Sequence, residues 1–252
     1  MRRAFLLVLV ALALALPAGA QFWEKKESSH WSKSECEKML RDSPWARSKS
    51  LSRATIRTLQ EGSDVAGRDS NLVATYTALL WSARPVREAV VRQAQLDPNY
   101  ARLSSEEKKT LDERHQRLLN TDFSQVVVVR LSYGSNAQEY DLDLARYWQQ
   151  QSPAQLQQAV YLLIGKRRVN ASEVRVAQGA GRDIYLVFPR VVEGQSILGP
   201  ADSRLALELE HPNVGLQQAG GPGGDLQGPI PAQRVFLELE VKKMQIKETL
   251  LF

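Results

Sequence analysis

Side chains able to do chemistry are few in this 252-residue sequence, which holds three histidines and one cysteine. His30 lies in a polar N-terminal stretch, His115 in a charged helical one, and His211 stands before Pro212 in what reads as a loop. Zinc sites draw on ligand pairs a few residues apart, and none of the three has such a partner. His115 reads as a solvated helix residue. A nucleophilic pairing of Cys36 with a histidine would have to meet in space, because no local signature announces it. Ser196, in Gly194-Gln195-Ser196-Ile197-Leu198-Gly199, comes nearest to a hydrolase elbow. The elbow needs Gly-x-Ser-x-Gly closing a strand-to-helix turn, whereas this run is one residue longer and lies between strands. Gly179-Ala180-Gly181 lacks the third glycine and following helix of a dinucleotide loop, and Gly220 to Gly224 lacks the lysine and helix of a phosphate loop. Asn170-Ala171-Ser172 matches a glycosylation acceptor, which matters only on a eukaryotic secretory route. Catalytic residues therefore stay unassigned, and neither a cofactor nor a metal is expected.

Two groups deserve a binding reading beside a structural one. Glu208, Glu210, Glu238 and Glu240 can line one sheet face, where carboxylates could collect Ca²⁺ or simply face water. If their strands are neighbours, like charges oppose each other unless Lys242 and Lys243 or an intervening strand offset them. Trp23, Trp31, Trp45, Trp81 and Trp148 would suit a sugar or peptide ligand if clustered in a cleft. Core packing is the competing expectation.

The elements that must position these residues follow from periodicity. Ser32-x-x-Glu35 and Ser104-x-x-Glu107 are capping boxes that open helices. The first carries the stripe Trp31, Cys36, Met39 and Leu40 and ends at Ser43-Pro44. The second runs to about Leu119 with a thin apolar stripe. Between them Pro85 starts a helix that Asp97-Pro98-Asn99 breaks. Arg47 to Leu59 and Asn71 to Trp81 read as a long hairpin around the turn chemistry of Glu61 to Asp69. Val126 to Tyr133 is the best central strand. Ala137 to Gln151 fits strand or helix, with helix favoured. Val160 to Ile164 and Asp183 to Phe188 are strands, as are the alternating runs through Leu205-Leu209 and Val235-Val241. Gln21 to His30 reads as loosely held, and 211–232 as a Gly/Pro-rich connection.

Residues 1–20 have the form of a cleavable export signal: Arg2 and Arg3, an apolar run from Ala4 to Leu16, Pro17, then Ala18-Gly19-Ala20. Cleavage after Ala20 would leave a periplasmic or extracellular protein without a transmembrane segment, since the run is shorter than the ~20 residues a span needs. Arg2-Arg3-Ala4-Phe5-Leu6 also matches the core of a twin-arginine signal, so the export route stays open. Losing those two arginines leaves 31 basic against 28 acidic side chains. Charges so mixed form no basic stripe for nucleic acid or an anionic membrane. The lone Cys36 allows no internal disulfide; it is either a buried small hydrophobe or a link between two chains.

The stretch from Trp31 through Leu40-Arg41-Asp42-Ser43-Pro44-Trp45-Ala46 resembles a set of uncharacterised bacterial predicted secreted proteins with a Trp…Leu-x-x-Ser-Pro-Trp-Ala pattern. Similarity continues in Trp81-Ser82-Ala83-Arg84-Pro85-Val86-Arg87, Phe188-Pro189-Arg190 and Lys242-Lys243-Met244. The resemblance implies a bacterial envelope or extracellular setting and carries no activity. The sequence thus predicts a signal peptide and one α+β domain over 21–252, an antiparallel sheet covered by two to four helices, with a possible split near 122. The expected function is a non-enzymatic binding protein whose partner, a protein or small ligand, is unknown; the alternative is a secreted hydrolase whose residues meet only in the fold.

Overall fold

The computed structural model describes residues 22–52, 73–179, 181–199, 202, 204–214, 233–246 and 249–252. The leader, the turn at Glu61 to Asp69 and most of the Gly/Pro-rich connection lie outside the described residues. Within them the fold is α+β with antiparallel sheets.

Chain entry is not loose. Helix α1 (Phe22–Lys25) and a 3-10 turn (Ser28–His30) place Trp23 and Trp31 in the core. Phe22, Trp23, Trp31 and Trp45 meet edge to face with centroids 4.9 to 5.6 Å apart, which anchors the segment. The Ser32 hydroxyl accepts from the Glu35 amide, and the Glu35 carboxylate accepts from the Ser32 amide, opening α2 (Lys33–Arg41). Cys36 and Met39 form the buried side of α2.

Six strands make the larger sheet, in the order β1 (Asp42–Ser43), β2 (Ala46–Ser52), β3 (Val73–Leu80), β4 (Val126–Ser135), β8 (Asp183–Pro189), β7 (Glu173–Val176). The expected hairpin is the β2–β3 pair, with Ser48 opposite Thr77 and Leu51 opposite Ala74. Register sorts the side chains. Tyr76, Ala78 and Leu80 share the inner face with Val129, Leu131, Tyr133, Ile184, Leu186 and Phe188, all buried. Ser48, Thr77, Ser132 and Asp183 share the outer one.

Against the inner face lies a second antiparallel sheet, ordered β12 (Gln233–Leu239), β11 (Leu205–His211), β5 (Tyr161–Ile164), β6 (Arg167–Asn170). Two larger sheets therefore stand where one was expected. Leu205, Leu207, Leu209, Val235, Leu237 and Leu239 supply its buried face. The β5–β6 turn uses Gly165 at φ 59°, a left-handed conformation that costs glycine little. The edge strand β12 is tied to β2, since Arg47 Nε donates to the Glu238 carbonyl and the Glu240 amide to that of Pro44. The other edges are β1, two residues long, and β6 and β7, four residues each, which carry Arg167, Arg168, Glu173 and Arg175 outward.

Helices α3 (Arg84–Gln95), α4 (Pro98–Arg102) and α5 (Ser105–Asn120) connect β3 to β4. Pro98 does break α3, yet it also starts α4, with the Asp97 carboxylate accepting from the Asn99 amide. Arg87 Nη1 donates to the carbonyls of Leu118, Leu119 and Thr121 at the end of α5, and its guanidinium covers the Phe123 ring at 4.8 Å. The ambiguous stretch resolves as helix α6 (Gln138–Gln150), which lays Leu144 and Trp148 into the core. Helix α7 (Pro153–Ala159) follows behind a third capping box, Ser152 with Gln155. One contiguous cluster of buried side chains runs from Trp23 to Met244, and buried residues on both sides of position 122 belong to it.

Candidate functional site

The outer face of the larger sheet gathers polar and aromatic side chains without burying them. Ser48 and Ser50 are exposed, and Thr75, Thr77, Ser132, Asp183, Tyr185, Arg130 and Trp81 are half-exposed. Alternation along β4 is the cause: Val129, Leu131 and Tyr133 turn inward, so Arg130 and Ser132 must turn outward. Hydroxyls pair across strands, Ser48 with Thr77 and Ser50 with Thr75, both at 2.9 Å. The Ser132 hydroxyl donates to Asp183 Oδ1 at 2.6 Å. Beside this track the Arg130 guanidinium lies 5.1 Å from the centre of the Trp81 ring, and Tyr185 meets the same tryptophan edge-on at 6.0 Å. Arg130 Nε is buried against that ring with no hydrogen-bond partner. A guanidinium offers donors and no acceptor to whatever lies above the face. Helix α2 closes one end of the face, where the Ser48 hydroxyl also donates to the Arg41 carbonyl.

A second concentration of chemistry lies mostly in the core. His211 Nδ1 and the Tyr76 hydroxyl are 2.8 Å apart, and His211 Nε2 is 2.8 Å from the Tyr140 hydroxyl. Burial holds the imidazole down to about 4, so it is neutral at ordinary pH. A neutral ring has one N–H and one lone pair, so one phenol donates to it and the other accepts from it. Burial pushes the Tyr76 phenol far above its usual range, and the nearby Tyr140 phenol adds to this. The Trp148 indole N–H favours the Tyr76 oxygen electrostatically but falls outside hydrogen-bond geometry. Trp148 also packs against Tyr133 and Tyr147, and the Tyr133 hydroxyl has no partner. Tyr76 is wholly buried and His211 nearly so. The trio ties β3, α6 and β11 together, with both ring nitrogens of His211 taken up by phenols.

No protein-family model, curated protein or solved structure matches this chain. Its residues must therefore speak through their geometry.

His211 is not in a loop but is the last residue of β11, because the two phenols hold its ring inside; the connection thus begins after it. His115 is buried rather than solvated, and its Nδ1, 3.7 Å from Asp112, makes no hydrogen bond. His30 stays at the surface beside Ser29. Cys36 is fully buried, and burial raises its thiol above the usual range, with Arg92 opposing. A Cys36-linked dimer would therefore require local opening. Ser196 lies in β10 (Gln195–Ser196), hairpinned to β9 (Val191–Val192) through Glu193 and Gly194, and its hydroxyl donates to the Leu198 carbonyl. It has no histidine partner.

The four glutamates do not converge. β11 and β12 are direct neighbours, yet Glu208 faces Phe236, Glu238 faces Ala206, and Glu210 faces Arg234. Glu208 pairs with Arg234 at 3.2 Å, Glu238 with Arg204, and Glu240 with Arg47 and Lys243. Among the described residues no group of three His, Cys, Asp or Glu is placed to hold a metal. Trp23, Trp31, Trp45 and Trp148 are core residues, and Trp81 alone of the five reaches the outer face. Arg130, Tyr185 and Asp183 were not anticipated as site residues. Their one signal is an arginine set into a β-branched run at the polar phase of the alternation.

Proposed function

We propose that this chain is an exported protein of the bacterial cell envelope that binds a partner or ligand and performs no catalysis, and that the outer face of the larger sheet is its binding surface. The signal-like residues 1–20 and the resemblance to secreted bacterial proteins support the setting. One observation carries the binding reading: Arg130, its Nε buried and unpartnered, is flanked by Trp81 and Tyr185 on a sheet face that also presents Ser48, Thr77, Ser132 and Asp183. The hydrolase reading gains nothing from the histidines, because the innermost one spends both ring nitrogens on phenols.

The test places a photo-activatable phenylalanine analogue at Thr77 on the face, and at Gln116 on α5 as control, in the natural cell. A discrete adduct at Thr77 and none at Gln116 is expected. Equal adducts, or none at Thr77, would remove the binding face. Amino-terminal sequencing of the same material should begin near Gln21; an intact Met1 would remove the export.

A further inference from the structure

We infer that this face takes a hydroxyl-rich, uncharged glycan chain laid across the strands. The inference rests on the binding face proposed above and names its ligand class. Arg130 offers only donors; its Nε is buried, and on this half-exposed side chain the two Nη groups are the fork a ligand meets. Asp183 offers only acceptors, and the Ser132 hydroxyl uses Oδ1 alone, leaving Oδ2 open. Adjacent sugar hydroxyls each donate and accept, so they suit a planar donor fork with a planar acceptor diagonal to it across β4 and β8. The hydroxyls of Thr77 and Ser48 carry the polar track onto two further strands, at about 4.8 Å per strand. Trp81 and Tyr185 add aromatic surface for the C–H faces of sugar rings.

Charge balance chooses among ligands. Arg130 and Asp183 offset each other, and Arg175 is spent on Glu173 at 2.6 Å, so the patch is close to neutral. A polyanion or polycation would meet repulsion at one of the two. An extended peptide would bind by backbone pairing at a sheet edge, and this face presents side chains only.

The test is affinity gel electrophoresis of the full chain in gels containing laminarin, xylan or glycol chitin, with polygalacturonate as the charged comparison. Retardation by at least one neutral polymer, insensitive to salt, is expected. Arg130→Ala and Arg130→Lys should each weaken it by about tenfold or more, since an ammonium cannot replace the fork. Asp183→Asn, which keeps an acceptor for Ser132, should weaken it as well, so the outcome does not hang on one variant. Thermal melts of all three should stay close to that of the parent. No retardation by any neutral polymer overturns the inference, as does retardation by polygalacturonate alone or retardation that survives all three substitutions. A Thr77 adduct to a protein, without glycan retardation, would remove the glycan and leave the binding face standing.

Discussion

Lowering the pH should destabilise this protein through one side chain before the carboxylates contribute. His211 holds its proton at an ordinary imidazole value of 6.5 when the chain is unfolded and at about 4 when it is buried. Its neighbours cannot compensate a positive ring: Tyr76 from β3 and Tyr140 from α6 are phenols, and Gln233 stands opposite on β12. The stability this burial supports is complete above the unfolded value. It is lost as pH falls from there to about 4, because only the unfolded chain takes up the proton. At about 1.4 kcal/mol per pH unit the loss amounts to about 3 kcal/mol, a large fraction of the stability of a domain. The carboxylates held low by partners, Glu35 by Lys26 and Glu240 by Lys243, act at lower pH and have solvent access. Urea denaturation between about pH 6.5 and about pH 4.5 isolates the histidine. The parent should lose stability steadily over that window, and His211→Gln should be flat there, whatever its absolute stability. Proton-detected titration of the folded imidazole gives an independent reading. A ring that titrates near 6.5 in the folded protein, or equal slopes in parent and variant, would refute the burial argument.

Four further outcomes follow from contacts described above. Tyr76→Phe leaves His211 Nδ1 unsatisfied in the core and should cost about 1 to 3 kcal/mol by urea denaturation, with Tyr140→Phe costing less because its site is only partly buried. Arg87→Met keeps the stem but removes the donors that close the end of α5; a loss of about 2 to 3 kcal/mol is expected, with amide exchange quickening at Asn120 and Thr121 first. Cys36 should react with a thiol reagent only as fast as the protein opens, so added urea should accelerate labelling far more than it does for a free thiol. Ser104→Ala removes one half of a capping box on an exposed helix start and should cost about 1 kcal/mol in a thermal melt.

What the sequence made legible was local chemistry. The boxes at Ser32 and Ser104 are contained in four residues each, so spacing alone places two helix starts. The run Val126 to Tyr133 and the alternation at Leu205 and Val235 likewise carry their own phase. Strands β6 and β7 went unseen because each is short and turns a single buried residue inward, Val169 and Val174. Ser152 escaped notice as a cap because glutamine, not glutamate, completes its box. His211 looked like a loop residue on account of Pro212; what places it in a strand is a pair of phenols 135 and 71 positions away. No window on the sequence spans such distances. The outer face was half-visible: Arg130 broke an apolar run in plain sight, but only the register of β3, β4 and β8 sets Trp81, Tyr185 and Asp183 beside it.

The manner in which the two sheets end bears on how crowded a solution this molecule tolerates. An unpaired strand is a template on which another chain can crystallise into fibres. Here the longest such margin, β12, is already fastened to β2. The other margins are the two-residue β1 and the four-residue β6 and β7, and the last two bristle with arginine and glutamate. Many copies confined together should therefore slide past one another instead of stacking.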